Sequence, residues 1–501
     1  MTRKWWTLLT VSVGTFMLLL DITVVNTALP SIQKDLGASF TDVQWVIDSY
    51  TLSLAAIVLT AGSLADRLGR RAVFAAGLAI FSAASLAAGL APDATFLNIA
   101  RAIQGIGGAA MFAVSLALVA QEFAAGRERA TAMGIYGATI GISVAVGPLV
   151  GGAITTGLGW RWVFFVNVPV GIAALALTFA RVRESRDPNA TRIDWLGLVS
   201  FSSALLMLVL ALLRGNDNGW GSPLIVGLLG GAGLMLAAFA AVEQRVPEPM
   251  LPLHLFRRGA FTGVQLAAAA VSASLFALFL YLTLYLQNYL GYSPLQAGLR
   301  YLPITIVPFL VAPLAVVLMG RLPARVTMAI GLAGVGGGLL LMSGLSAHSS
   351  WTALLPGFIV AGVGVGLLNP VIADVAVSVV SKDRSGMAAG INDTFRQVAI
   401  AVGVAAWGAI FLARGAAKIS SVVPGAPAHR LIEAASAGFL PRSAHGLAAD
   451  AARQGFLSGL NTILVIGGLL ALAGAVAAAW LVREHEIERE LPELAAVPAR
   501  A

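Results

Sequence analysis

The chain has 501 residues, 58% hydrophobic and only 11% charged, with a mean hydropathy of +0.86, too little polar surface for a soluble globule. Its formal charge of +8 comes from Arg and Lys standing singly or in pairs between apolar stretches, which fits membrane topology and excludes a nucleic-acid partner. The absence of cysteine excludes disulfides and thiolate chemistry and leaves the redox compartment open.

Stretches of about 20 or more mostly apolar residues fall at 5–30, 43–64, 72–91, 95–121, 131–157, 162–181, 194–214, 222–243, 259–289, 296–320, 323–346, 351–379, 386–414 and 456–483. They predict an all-α polytopic membrane protein with fourteen transmembrane helices. The charged start, Met1 to Trp6, resembles a signal-peptide n-region. The stretch behind it is too long, carries Asp21 and lacks a small-residue cleavage site, so it reads as a retained first span.

Asp21 follows Phe16-Met17-Leu18-Leu19-Leu20 inside that first span, where a lone carboxylate costs at least roughly 2.5 kcal/mol on insertion scales. Such a residue is a functional candidate, and Asp48 repeats the pattern in span 2. Asp48 also reads as a solvated residue near the helix end. The turn after span 2, Gly62-Ser63-Leu64-Ala65-Asp66-Arg67-Leu68-Gly69-Arg70-Arg71, combines glycines for a tight turn with an acid and three Arg. By itself it reads equally as a positively charged inner loop.

Span 4 opens on Arg101-Ala102-Ile103-Gln104-Gly105-Ile106-Gly107-Gly108, where Arg101, Gln104 and Gly105 share one helix face. A dinucleotide fingerprint in Gly105-x-Gly107-x-x-Ala110 fails because no strand precedes it; snorkelling of Arg101 to the outer interface is the structural alternative. In span 5, Gly141, Gly147, Pro148, Gly151 and Gly152 create a small-residue face with a bend at Pro148. Aromatics of span 9 (Phe276, Phe279, Tyr281 and Tyr285) suit either a cavity for flat lipophilic molecules or a lipid-facing belt. Asp374 lies near the inner end of span 12, and Asp393 and Arg396, three apart in span 13, most simply pair with each other. Asn26, Gln104, Tyr285, Asp374, Asn392, Asp393 and Arg396 are the substrate-cavity candidates.

An internal repeat appears at an offset of about 254 to 257 residues: Leu64 to Arg71 aligns with Leu318 to Arg325, and Gly134, Gly147 and Gly152 with Gly390, Gly403 and Gly408. The expected organisation is a six-helix bundle (1–193), a two-helix insert (194–243) and a second six-helix bundle (244–501) with a long outer loop at 415–455 and a cytoplasmic tail. Repeated halves rocking about a central site are usual in secondary transporters. Most Arg and Lys fall in connections that are inside if the N-terminus is, whereas the short outer connections hold only Lys34, Arg161 and Arg214. Both termini are therefore expected to be cytoplasmic, in the plasma (inner) membrane of the cell.

The 62–71 string closely resembles the cytoplasmic loop of the major facilitator superfamily. Arg101 to Gly108 resembles that superfamily's Arg-bearing fourth helix, associated with proton coupling, and Gly141 to Gly152 its so-called antiporter motif. Leu20-Asp21-Ile22-Thr23-Val24-Val25-Asn26-Thr27-Ala28-Leu29-Pro30, the 160–169 string (Trp160 to Pro169) and the 285–293 string (Tyr285 to Ser293) look like the fourteen-helix drug/proton antiporters. The resemblance covers residues 5–483 and implies the major-facilitator fold. It also implies a proton-coupled exporter of lipophilic, cationic drugs or antibiotics, not an enzyme. Small lipophilic substrates, protons and membrane lipids are the expected partners of a monomer, with no cofactor and no metal.

No Gly-Lys-Ser/Thr phosphate loop exists and all five His lie in connections or the tail, so a proton relay would use carboxylates. At about 1.5 Å per residue, Asp48, Arg101 and Asp21 lie roughly 7, 9 and 13 Å in from the outer side. Asp21 and Asp48 are thus expected to exchange protons from outside beside Arg101, against a substrate taken from inside. The alternatives are a dedicated exporter of an endogenous metabolite or lipid and, outside transport, a membrane receptor or scaffold.

Overall fold

The computed structural model describes residues 2–123, 127–186, 194–246, 249, 251–319, 321–380, 385–438 and 446–487, and among these no β-strand occurs. Fourteen long helices run in chain order: α1 Arg3–Leu36, α2 Phe40–Leu68, α3 Arg70–Gly89, α4 Ala94–Glu122, α5 Arg127–Gly157, α6 Trp162–Arg181, α7 Trp195–Asn218, α8 Pro223–Glu243, α9 Gly259–Tyr289, α10 Pro294–Met319, α11 Ala324–Met342, α12 Leu355–Ser378, α13 Ser385–Val422 and α14 Leu447–Leu481. Thirteen of them are long and apolar enough to cross a membrane, and α2 has the same scale at 29 residues. Local chemistry sets several ends. Gly37 at φ 60° stops α1, Ser39 and Asp42 cap α2 reciprocally, and Asp93 accepts the Phe96 N–H to start α4.

The pairings repeat. In the first six helices α4 packs on α2 and α3, α5 on α1, and α6 on α3; the helices eight further on pair in the same way, α12 on α10 and α11, α13 on α9, and α14 on α11. The two sets meet through α5 with α10 and α2 with α13, contacts that are images of each other under exchange of the sets. The insert breaks this symmetry. Its α7 lies over the α2–α13 seam through Leu52, Leu205, Val209, Leu213, Ala401 and Ala405, and α8 packs on α7.

Contacts between the sets concentrate at the end where α1 finishes and α2 begins. Gln287 Nε2 donates to the Thr27 carbonyl (2.7 Å), Leu295 N to Thr156 Oγ1 (3.0 Å), and Phe40 stacks on Phe411 at 5.7 Å between centroids. Toward the opposite end one face of α5 opens, for a Cβ at Gly137 or Gly134 would meet nothing within 4 Å, while Ala132 and Tyr136 stay buried on the first set. The two sets are joined at one end, and the glycine face of α5 stands open toward the other.

One expectation needs correction. The 415–455 segment is not a plain loop: α13 continues to Val422, a short helix occupies Ala428–Ser436, and α14 begins at Leu447. Its apolar side drives this, since Ile432 is fully buried and lies where a Cβ on Gly415 would be. Span 9 is helical as expected, with π-helical turns at Ser272–Phe276 and Tyr285–Tyr289. The expected tail beyond 487 and the middle of the 415–455 segment, 439–445, lie outside the described residues.

Candidate functional site

Asp21 of α1 is almost wholly buried and fully satisfied. Arg101 Nη1 donates to Oδ2, while Gln104 Nε2 (3.0 Å) and Asn167 Nδ2 (2.9 Å) donate to Oδ1. The same Arg101 nitrogen reaches Gln104 Oε1 at 2.8 Å, and Arg101 Nε donates to the Val46 carbonyl at 3.1 Å. Its guanidinium lies 4.2 Å from the Tyr50 ring centroid, a desolvated cation–π contact. Ser85 Oγ accepts from Gln104 and Asn167 and donates to the Phe164 carbonyl. Five helices, α1, α2, α3, α4 and α6, thus converge on one ion pair in which every carboxylate oxygen has a donor.

Glycine makes this convergence possible. A Cβ on Gly105 would meet the Tyr50 carbonyl and Ser53 Oγ, so α2 and α4 approach as they do only because position 105 is bare. Arg101, one turn earlier, is thereby brought to α1.

Asp48 does not join this pair. It is 0% exposed and, among the described residues, neither carboxylate oxygen has a hydrogen-bond partner. It lies one turn from Gln44, whose Nε2 donates to Tyr281 Oη (3.1 Å) and to the Val404 carbonyl (3.0 Å) across the α2–α13 seam, and Tyr281 is within electrostatic reach. The reading of Asp48 as a solvated helix-end residue is therefore overturned. The Asp48 carboxylate thus carries a desolvation cost that no donor or cation offsets, whereas three side chains donate to Asp21.

In the second set, Arg396 and Asp393 act on each other electrostatically, but among the described residues no direct ion pair joins them. The Arg396 guanidinium is held by Asn392 Oδ1 (3.1 Å) and Asn369 Oδ1 (3.3 and 3.4 Å), and Asn392 is fixed by Gln265 (3.0 Å). Asp393 is half-buried, accepts no hydrogen bond, and acts electrostatically on Tyr136 of α5 in the opposite set. Of the other cavity candidates, Asn26 bonds the Ile22 carbonyl of its own helix and Asp374 is half-buried. Tyr285 is fully buried against Tyr289, so it is packed in the aromatic core and lines no open space. Gln104 belongs to the Asp21 network.

The turn between α2 and α3 is held by a residue that no motif marked. Glu184, after α6, accepts from Arg71 N (3.0 Å) and Ala72 N (3.2 Å) at the α3 N-terminus, lies 3.7 Å from Arg71 Nε, and Arg70 N donates to the Ser185 carbonyl. Gly69, at φ 114°, abuts that carboxylate, so a side chain there would collide with it as well as strain the backbone. Arg67 is exposed and Gly62 has open space around it; the Asp66 side chain lies outside the described residues. In α5, Gly147 and Gly151 admit Thr23 and Thr27 of α1, whereas Gly152 meets Pro294 and Leu295 of α10, and Gly298 meets Pro148. Gly141 has only Phe309 at 3.8 Å. Asn167, Ser85, Gln44, Tyr136 and Asn369 were not singled out in the sequence, though Asn167 stood in a quoted string; Tyr281 was among the span 9 aromatics.

The family profile described as Major Facilitator Superfamily matches residues 11–404. The chain is 36% identical to the puromycin resistance protein pur8 of Streptomyces alboniger, covering 99% of this chain and 95% of that one. It is 34% identical to the tetracenomycin C resistance and export protein of Streptomyces glaucescens, over 99% and 95% of the two chains. Among solved structures, a bacterial homolog of the human lysosomal transporter Spinster, in an inward-facing and unoccupied conformation, superposes with a TM-score of 0.67 at 17% identity, covering 98% of this chain and 99% of that one.

Proposed function

The chain belongs to the major facilitator superfamily, and from that premise we propose that it exports lipophilic, cationic drugs or antibiotics in exchange for protons by alternating access. The observation that carries this reading is the buried Asp21–Arg101 pair with its amide collar. A paired carboxylate in a membrane span is expensive unless it is used, and a proton arriving at Asp21 would release Arg101. The relatives named for resistance and export support the direction of transport. The proton gradient is the energy source in this reading, and the protein works as a monomer in the plasma (inner) membrane with both termini cytoplasmic, as the Arg and Lys distribution favours.

The substrate site lies between the two sets of helices, where Asp393 accepts no hydrogen bond among the described residues and is within electrostatic reach of Arg396 and Tyr136. A carboxylate without a direct hydrogen-bonded counter-ion, near an aromatic ring, suits an organic cation. Asp393→Asn is expected to weaken binding of lipophilic cations roughly tenfold or more while neutral lipophiles bind as before, read by fluorescence titration of purified protein. Equal loss for both classes would remove Asp393 from cation recognition.

The whole reading is tested in proteoliposomes with an imposed pH gradient. Addition of ethidium-like cations is expected to release protons in step with dye movement, and no substrate-dependent proton flux would sink antiport. A dedicated exporter of one endogenous product is the second reading, favoured because both relatives are named for a single antibiotic. A panel in which only one compound class moves protons would support it.

A further inference from the structure

The two sets of helices hold their charges differently. In the first set Arg101 is buried and joined directly to Asp21, whereas in α13 Asp393 and Arg396 act on each other with no direct ion pair between them, and both stay partly exposed. We infer that Asp393 and Arg396 form a split ion pair that an amphoteric substrate bridges, its cationic nitrogen on Asp393 and an anionic oxygen on Arg396. The inference rests on the substrate site proposed above and narrows its ligand from any lipophilic cation to one that also carries a negative oxygen.

The guanidinium is held by neutral groups. Nε donates to Asn392 Oδ1 at 3.1 Å, while Nη1 and Nη2 both reach Asn369 Oδ1, at 3.4 and 3.3 Å. Two amide oxygens are thus all that it meets among the described residues, and its remaining N–H donors have no acceptor there. Asn392 is itself fixed, because its Nδ2 donates to Oε1 of the fully buried Gln265 on α9 (3.0 Å). The cation therefore keeps its place without a counter-ion in contact, which is preorganisation for an anionic oxygen.

The carboxylate end faces the first set. Asp393 is within electrostatic reach of Tyr136 on α5, and Tyr136 is engaged by its own set, where Thr15 Oγ1 donates to its hydroxyl at 3.4 Å. Space lies beside it. Gly137 and Arg396 both stand about 15 Å along their helices from the start of α5 and α13, and a Cβ at Gly137 would meet nothing within 4 Å, one at Gly141 only Phe309 at 3.8 Å.

The spacing i, i+3 puts both charges on one face of α13, and Asn369 of α12 draws the guanidinium away from Asp393. The gap is where the ligand sits. A plain cation at Asp393 would feel the Arg396 charge as well as the carboxylate, so repulsion offsets much of the attraction. An amphoteric ligand meets an opposite charge at each end.

The test uses a rhodamine with a free carboxylate and the ethyl ester of the same dye, which share one cationic ring system and differ in the negative group. Fluorescence titration of the purified full chain is expected to show the acid binding roughly tenfold tighter than the ester. Arg396→Gln should weaken the acid and tighten the ester, so that the preference disappears. Arg396→Lys keeps a positive charge and should retain the preference even where both affinities fall. Equal loss of acid and ester in Arg396→Gln overturns the inference, since packing alone would then account for the residue. So does a parent that binds both dyes alike; if Asp393→Asn still weakens both, the cation site stands and the split pair falls. Proton-coupled export is read separately, from substrate-dependent proton flux.

Discussion

Asp21→Asn is expected to abolish substrate-driven proton flux while the protein still binds its substrate. In the parent, one guanidinium and two side-chain amides converge on the carboxylate. The amide keeps the shape but removes the charge and the proton-accepting oxygens, and leaves Arg101 buried without its counter-ion. Removing one partner of such a pair costs about 3–5 kcal/mol, so a lower thermal midpoint accompanies the functional loss. The two effects can be separated. Asp21→Asn combined with Arg101→Gln removes both charges and should recover much of the stability, yet coupled flux should stay at least roughly a hundredfold below the parent, since no carboxylate remains to carry the proton. Pyranine-loaded proteoliposomes read the flux and a melting curve reads the stability. Wild-type coupling in Asp21→Asn would reduce the pair to a structural role.

The transmembrane architecture was legible because apolar length alone defines a span, and the glycine-rich strings located the turns and close approaches. Depth was legible too, since counting residues along each helix put Asp21 and Arg101 near one another. Counting gives no azimuth, however. Asp48 shares roughly that depth, but Tyr50, which faces Arg101, lies two residues on and about 200° around the helix, so Asp48 faces the other way. The amide collar was hard to find for another reason. Ser85 and Asn167 are lone small polar residues in apolar helices, a pattern indistinguishable in one sequence from ordinary packing. At Asp393 and Arg396 the i, i+3 separation located electrostatic neighbours but not the guanidinium's hydrogen-bond acceptors, which Asn392 and Asn369 supply. The helical parts of the 415–455 segment were masked by its polar composition, because the amphipathic stretch around Ile432 is too short to stand out.

Gly152→Leu is expected to stop transport without unfolding either set of helices. A side chain at 152 would enter the α10 backbone at Pro294 and Leu295, whose Cα lies 2.9 Å from the Cβ position, and backbone cannot rotate away as a side chain can. The reciprocal contact of Gly298 with Pro148 makes the approach self-complementary, so Gly298→Leu should behave alike. Overpacking of this kind costs about 1–3 kcal/mol, which lowers the population of the closed α5–α10 seam by roughly 5- to 150-fold relative to the parted one. Export then stalls because the cycle cannot return through the closed state. The helix provides its own controls. Gly134→Ala and Gly137→Ala add a Cβ that meets nothing within 4 Å and should transport as the parent does, whereas Gly151→Leu strikes Val24 and Thr27 of α1 and should lower the melting temperature of the first set itself. If Gly152→Leu transports normally, the closed seam is not required in the cycle. If Gly151→Leu and Gly152→Leu behave identically, the glycines serve packing alone. The contrast between adjacent positions follows from their being about 100° apart on one helix: one glycine lets α5 rest on α1 within its own set, and the next lets the two sets touch.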